Sequence, residues 1–202
     1  MNQGLIIFSA ILAVFFIFQA FTIRSASKTE HRPYKLIHKE ANLEIRYYPQ
    51  AVLASVKMNG GSFRNVSYSG FRVLANYIFG GNQRKQQIAM TTPVEMNLND
   101  TASSMSFSMP SAYQLHELPE PENKSVMLHT SNPEYVAVVS FSGYATDNKI
   151  VKHTKELREL LEEKKISYYE PFRFLGYNSP FQVIGRSNEI IVRIDTASIK
   201  SL

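Results

Sequence analysis

Cysteine is absent from this 202-residue chain. Its absence excludes disulfides, thiolate catalysis, iron–sulfur clusters and covalent c-type haem attachment, and leaves the compartment open. The familiar catalytic signatures are missing as well: there is no Gly-x-Ser-x-Gly elbow, no His-Glu-x-x-His, no phosphate loop and no Gly-x-Gly-x-x-Gly after a strand. The histidines, His31, His38, His116, His129 and His153, lie far apart with no i, i+4 pair to grip a metal. Taken singly, each reads as an ordinary surface or half-buried residue. Carboxylates collect on one face of a predicted helix or in residues 118–123 (LPEPEN), so no acid/base pair can be nominated. The net charge of +5 is modest and its lysines and arginines are scattered. With no helix-turn-helix pattern either, this argues against nucleic acid, while suiting an acidic small molecule or an anionic membrane surface.

Charge is also missing from the first 23 residues. Residues 4–23 form a mostly apolar run that, at about 1.5 Å per residue, reaches across a bilayer core of roughly 30 Å. A cleavable signal peptide normally has a basic start, an apolar stretch of about 7–15 residues and a small-x-small site. Only Ser25-Ala26-Ser27 fits the last of these. Residues 1–23 therefore read as a transmembrane segment or signal-anchor, with cleavage and a secreted or periplasmic product as the alternative. Arg24, Lys28, Arg32 and Lys35 follow the run, which by the positive-inside tendency puts what comes after it in the cytoplasm. Residues 24–32 are a polar tether, and 33–197 make one domain of ordinary size.

Within the domain, residues 43–47 alternate apolar and polar, Pro49 breaks the run and 52–58 resume it, which predicts strands. Phe63, Val66, Phe71, Leu74, Tyr77 and Ile78 then recur at helical spacing, up to a Gly80-Gly81-Asn82 stop. Residues 88–98 read as a strand that Pro93 confines to a sheet edge or a bulge. Another strand over 105–109 precedes the exposed LPEPEN connection. Strands at 126–129 and 134–142, an amphipathic helix over 150–164 capped by Thr146 or Asp147, and strands at 172–177 and 188–195 complete the chain. Both halves run strand, helix, strand, strand, the order of a pseudo-repeat without residue-level identity. Patterning alone predicts an α+β domain with a mostly antiparallel sheet.

One stretch, residues 77–96 (YIFGGNQRKQQIAMTTPVEM), resembles the signature of the SOUL haem-binding family, a helix ending in a Gly-x-Asn turn before a Met-Thr-x-Pro-Val strand. Residues 34–54, 136–146 and 175–194 resemble further blocks of that family in the same order. The resemblance implies a distorted antiparallel β-barrel, or paired sheets, with two flanking helices. It also implies a non-covalently and reversibly bound haem or related tetrapyrrole. Arg186-Ser187-Asn188-Glu189 departs from the family's pattern by a serine in place of a basic or amide residue.

Haem binding needs an apolar slot, groups for the propionates and, optionally, an axial ligand. Phe71, Leu74, Tyr77 and Ile78 on the first domain helix, with Met90, Tyr177 and Phe181, are candidates for the slot. Periodicity alone favours reading them as core residues. Arg64 and Arg72 are candidates for propionate pairing. Where some family members carry a histidine this chain has Tyr47, itself a candidate iron ligand; His38 and Met90 are the others. The resulting reading is a membrane-tethered, non-enzymatic carrier or buffer of haem. The alternatives are a sensing module for other amphipathic molecules and an enzyme that removes iron from haem.

Overall fold

The computed structural model describes residues 3–26, 29–99 and 101–197. An apolar helix, α1 (Gln3–Ala26), precedes an α+β domain. Strands β1 (Glu30–His31), β2 (Lys35–Glu40), β3 (Leu43–Tyr48) and β4 (Val52–Asn59) lead into helix α2 (Phe63–Ile78). Then come β5 (Thr91–Thr92), β6 (Val94–Asn97), β7 (Ala102–Ser108), a 3-10 turn (Leu115–Glu117), β8 (Val126–Thr130) and β9 (Glu134–Ser142). Helix α3 (Asp147–Glu163), β10 (Tyr168–Gly176) and β11 (Ser187–Ile194) complete the domain.

Nine strands form one antiparallel sheet in the order β2-β3-β9-β11-β10-β6-β7-β4-β8, and β1 pairs with β5 in parallel as a separate ribbon. The expected barrel does not close: β2 and β8 remain edges. From β3 to β8 the order reads the same from both ends once β3 is exchanged with β8, β9 with β4, β11 with β7 and β10 with β6. The predicted pseudo-repeat is thus a two-fold relation, and each half lends its first strand to the other. Pro93 falls in the break between β5 and β6, and β6 is an interior strand bonded to both β7 and β10. The edge position expected for it is not seen, because the missing donor lies outside the paired residues.

Both helices of the domain cover one face of the sheet, where their apolar stripes meet Ile45, Val56, Phe107, Val139, Ile190 and Val192 in a single core. Leu74, Tyr77 and Ile78 of α2 and Leu157 and Leu161 of α3 are fully buried there. The α2 stop is built as its residues imply. Gly80 has φ +106, and an added Cβ at Gly81 would lie 2.6 Å from the Asn76 carbonyl oxygen. Buried Asn82 donates to the carbonyls of Tyr77 and Gln86 and accepts from the Gln86 N–H. Thr146 caps α3 by accepting from Lys149 N at 3.3 Å, while Asp147 caps the other helix, accepting from the N–H of Phe63 at 2.6 Å. The LPEPEN connection is only partly exposed: Leu118 is buried and the Pro119 carbonyl accepts from Tyr77 Oη at 3.0 Å.

Candidate functional site

On the face opposite the helices, side chains from six strands line one small space. Arg46 and Glu189 meet there in a bidentate pair at 2.9 and 3.0 Å. Arg46 also reaches Glu44 at 2.8 Å and lies 4.2 Å from the Tyr34 ring centre, and Glu189 accepts from Tyr177 Oη at 2.6 Å. Burial by itself would make Arg46 easier to deprotonate, but its hydrogen bonds and charge contact with Glu189 hold its pKa above the ordinary arginine value. Burial, reinforced by the Glu189 charge, raises the Tyr177 phenol, and burial raises that of Tyr48. The space left among Arg32, Tyr48, Glu95 and Leu175 is about 10 Å³, room for about one water. Arg46, Glu189 and Tyr177 satisfy one another, and a space of this size holds no organic ligand.

A second polar chain links His129 Nε2 to Ser55 Oγ at 2.9 Å and on to Ser106 Oγ at 2.7 Å. Ser55 is buried, and among the described residues no carboxylate orients the imidazole. A serine nucleophile needs an accessible oxygen and an oriented base, and this chain of contacts supplies neither.

The predicted site residues fall into separate places. Leu74, Tyr77 and Ile78 are core, and burial pushes the Tyr77 phenol up to about 12. Phe71 is half-buried against Phe107, ring centres 5.4 Å apart, and Met90 is half-buried against the same core. Tyr47 lies on β3 beside its cross-strand partner Tyr135, ring centres 5.0 Å apart. His38, on β2, has Nε2 3.7 Å from Glu40. Four strands separate β3 from β7, on which Phe71 packs, a path of roughly 24 Å along the sheet at about 4.8 Å per strand. Tyr47 and His38 therefore lie several strands along the sheet from the strand on which Phe71 packs. Tyr177 lies on the side opposite the helices, stacked on His31 at 6.2 Å, and Phe181 projects from the β10–β11 loop.

Arg64 and Arg72, in contrast, are both exposed and on one face of α2. Tyr68 stands between them, four residues from each, with 71 % of its surface exposed and its ring 6.0 Å from the Arg72 guanidinium. Phe71 and the exposed Phe79 border the same stripe. Arg32, Arg46, Arg158 and Arg173 all pair with carboxylates. Among the described residues, Arg64 and Arg72 have no such partner. Tyr68 was not among the sequence candidates, although the period-four run Arg64-Tyr68-Arg72 is legible as a stripe. A separate cleft of about 400 Å³ opens between the tether, the start of β4 and the 3-10 turn. Arg32, Val52, Met109, Tyr113, Leu115 and His116 are among its lining residues, and sequence reasoning singled out none of them as a site.

In fold, the chain is similar to the C-terminal domain of EcmrR, with a TM-score of 0.60 at 7% identity over 80% of this chain and 98% of that one. In sequence it is 30% identical over 155 residues to heme-binding protein 2 of Mus musculus, covering 73% of this chain and 75% of that protein. It is 29% identical over 155 residues to heme-binding protein 1 of Xenopus laevis, covering 73% and 80% respectively. The family model described as SOUL heme-binding protein matches residues 29–193, from β1 into β11. The chain belongs to the SOUL heme-binding protein family.

Proposed function

We propose that this protein binds a haem-type tetrapyrrole reversibly and without turnover, on the outer face of α2, and that α1 tethers it to a membrane. The observation that carries the reading is the pair Arg64 and Arg72, exposed on one helix face, two turns apart and without carboxylate partners. Two turns place them about 12 Å apart along the axis, so each guanidinium can take one propionate bidentately. Tyr68, Phe71 and Phe79 supply the apolar and aromatic bed between and beside them, and the Tyr68 phenol is placed as a candidate oxygen ligand for ferric iron. The names of the relatives support the ligand class. Helix α1 is apolar over Ile7–Arg24, long enough to span a bilayer, and Arg24, Arg32 and Lys35 follow it, which favours a cytoplasmic domain.

The test is a haemin titration of the full chain in lipid nanodiscs, with empty nanodiscs as the blank, followed in the Soret region. A saturable shift is expected. Arg64→Ala and Arg72→Ala should each weaken it about tenfold, the loss of roughly 1.4 kcal/mol for one charge-assisted contact. Tyr68→Phe should move the band if the phenol ligates iron. Unchanged affinity in the double arginine variant would sink the α2 site.

The cleft gives a second reading, favoured by its volume of about 400 Å³ and by an imidazole and a thioether on its wall. In the same titration, His116→Ala would abolish the shift if the ligand sits there and leave it intact if it sits on α2.

A further inference from the structure

We propose that the β10–β11 loop, residues 177–186, enters the membrane interface beside α1 as a second point of attachment, its occupant being the lipid bilayer itself. This deepens the tether reading and rests on α1 spanning the membrane. The loop carries Phe181, Val183 and Ile184, exposed by 68%, 45% and 45%, and no acidic residue. Soluble proteins seldom leave three large apolar side chains together at one loop tip.

What specifies lipid is the loop's attachment to α1. Gln19 is 2% exposed although it sits on a helix otherwise almost wholly exposed. Its amide donates to the Phe181 carbonyl at 3.2 Å and accepts from the N–H groups of Val183 at 2.8 Å and Ile184 at 3.4 Å. A glutamine inside an apolar span needs polar partners, because hydrocarbon offers none. Here the loop backbone supplies them. Gln19 lies within the apolar window Ile7–Arg24, five residues before its first charge, which is about 7 Å along the axis. The three apolar side chains are therefore held at a depth where amphipathic surfaces settle, about 5–10 Å into the headgroup and acyl boundary.

The loop is braced for this. Gln182 is buried and donates to the carbonyls of Ile184 and Gly185, and Arg186 donates to those of Ser179 and Gln182. Arg186 also lies 4.3 Å from the ring centre of Tyr144, which is itself exposed. A tyrosine and an arginine side by side suit the headgroup level, just outside the buried apolar tip.

Because the chain has no cysteine, single-cysteine probes are unambiguous. Val183→Cys, Phe15→Cys and Glu163→Cys are each labelled with an environment-sensitive fluorophore in the full chain, reconstituted in phosphatidylcholine/phosphatidylglycerol vesicles. Iodide quenching and quenching by lipids spin-labelled near the headgroup are then compared. If the loop is inserted, the label at 183 shows about fivefold less iodide quenching than the label at 163, and strong quenching by shallow spin labels. Phe15→Cys reports the span independently. A buried label at 15 with a label at 183 as iodide-accessible as that at 163 overturns the loop insertion while the span stands. Accessible labels at both 15 and 183 overturn the span, and the loop proposal with it.

Discussion

Replacing Glu189 by glutamine keeps the side chain's shape and removes its charge. The carboxylate is 7% exposed and the Arg46 guanidinium 4%, so neither can turn to water when the other is lost. Glutamine retains one acceptor oxygen for Tyr177 or Arg46, but its NH₂ points donor hydrogens at a group that has only donors. Arg46 keeps Glu44, at 2.6 Å, as a second anion. Breaking a buried pair costs about 3–5 kcal/mol, and the remaining Glu44 contact sets the expectation at the lower end, about 3 kcal/mol. For a chain of this size that lowers Tm by roughly 6–12 °C. The assay is thermal unfolding of the full chain followed by near-ultraviolet circular dichroism. Replacing both partners, with Arg46→Met and Glu189→Met, should recover part of the loss, because the orphaned charge is gone while Tyr177 Oη and Glu44 each still lack one partner. A loss below about 1 kcal/mol in Glu189→Gln would refute the reasoning, and so would a double variant as unstable as the single.

Three further outcomes follow from the geometry. Asp147→Ala removes the acceptor at the start of α2 and should cost about 1 kcal/mol by denaturant unfolding, without loss of α3, whose cap is Thr146. Gly81→Ala forces a Cβ against the Asn76 carbonyl and should cost about 1–3 kcal/mol in the same measurement. Tyr77, with a pKa of about 12 against an ordinary value near 10, holds its proton more tightly folded than unfolded. Its contribution is therefore complete below pH 10 and falls away as pH rises from 10 to 12. The denaturation midpoint should drop across that window, and Tyr77→Phe should flatten part of the drop, the rest belonging to Tyr48 and Tyr177.

Much of the architecture was legible because period and punctuation act locally. The stripe from Phe63 to Ile78 and the Gly80-Gly81-Asn82 stop specify α2 without reference to the rest of the chain. What the pattern could not show is which strands meet. Nothing local tells β3 to pair with β9 or β4 with β8, so an open nine-stranded sheet and a closed barrel read alike. The same gap explains the site. Tyr47 and the α2 residues were candidates for one ligand, and the sequence does not show that four strands lie between β3 and the strand on which Phe71 packs. Leu74, Tyr77 and Ile78 show the ambiguity of a helical stripe, which marks a buried face whether that face meets a ligand or a sheet. Arg46 and Glu189 were invisible as a pair because they lie 143 residues apart.

The exchange of first strands between the two halves has a consequence for synthesis. Leu43 pairs with Val139, and Val56 with Val126, so β3 and β4 leave the ribosome well before β9 and β8 exist. At about 5–20 residues per second, β3 waits on the order of 5–20 seconds for β9, with one edge already paired to β2 and the other open. Neither half can finish its sheet from its own residues. The domain therefore matures as a whole only after β9 has appeared.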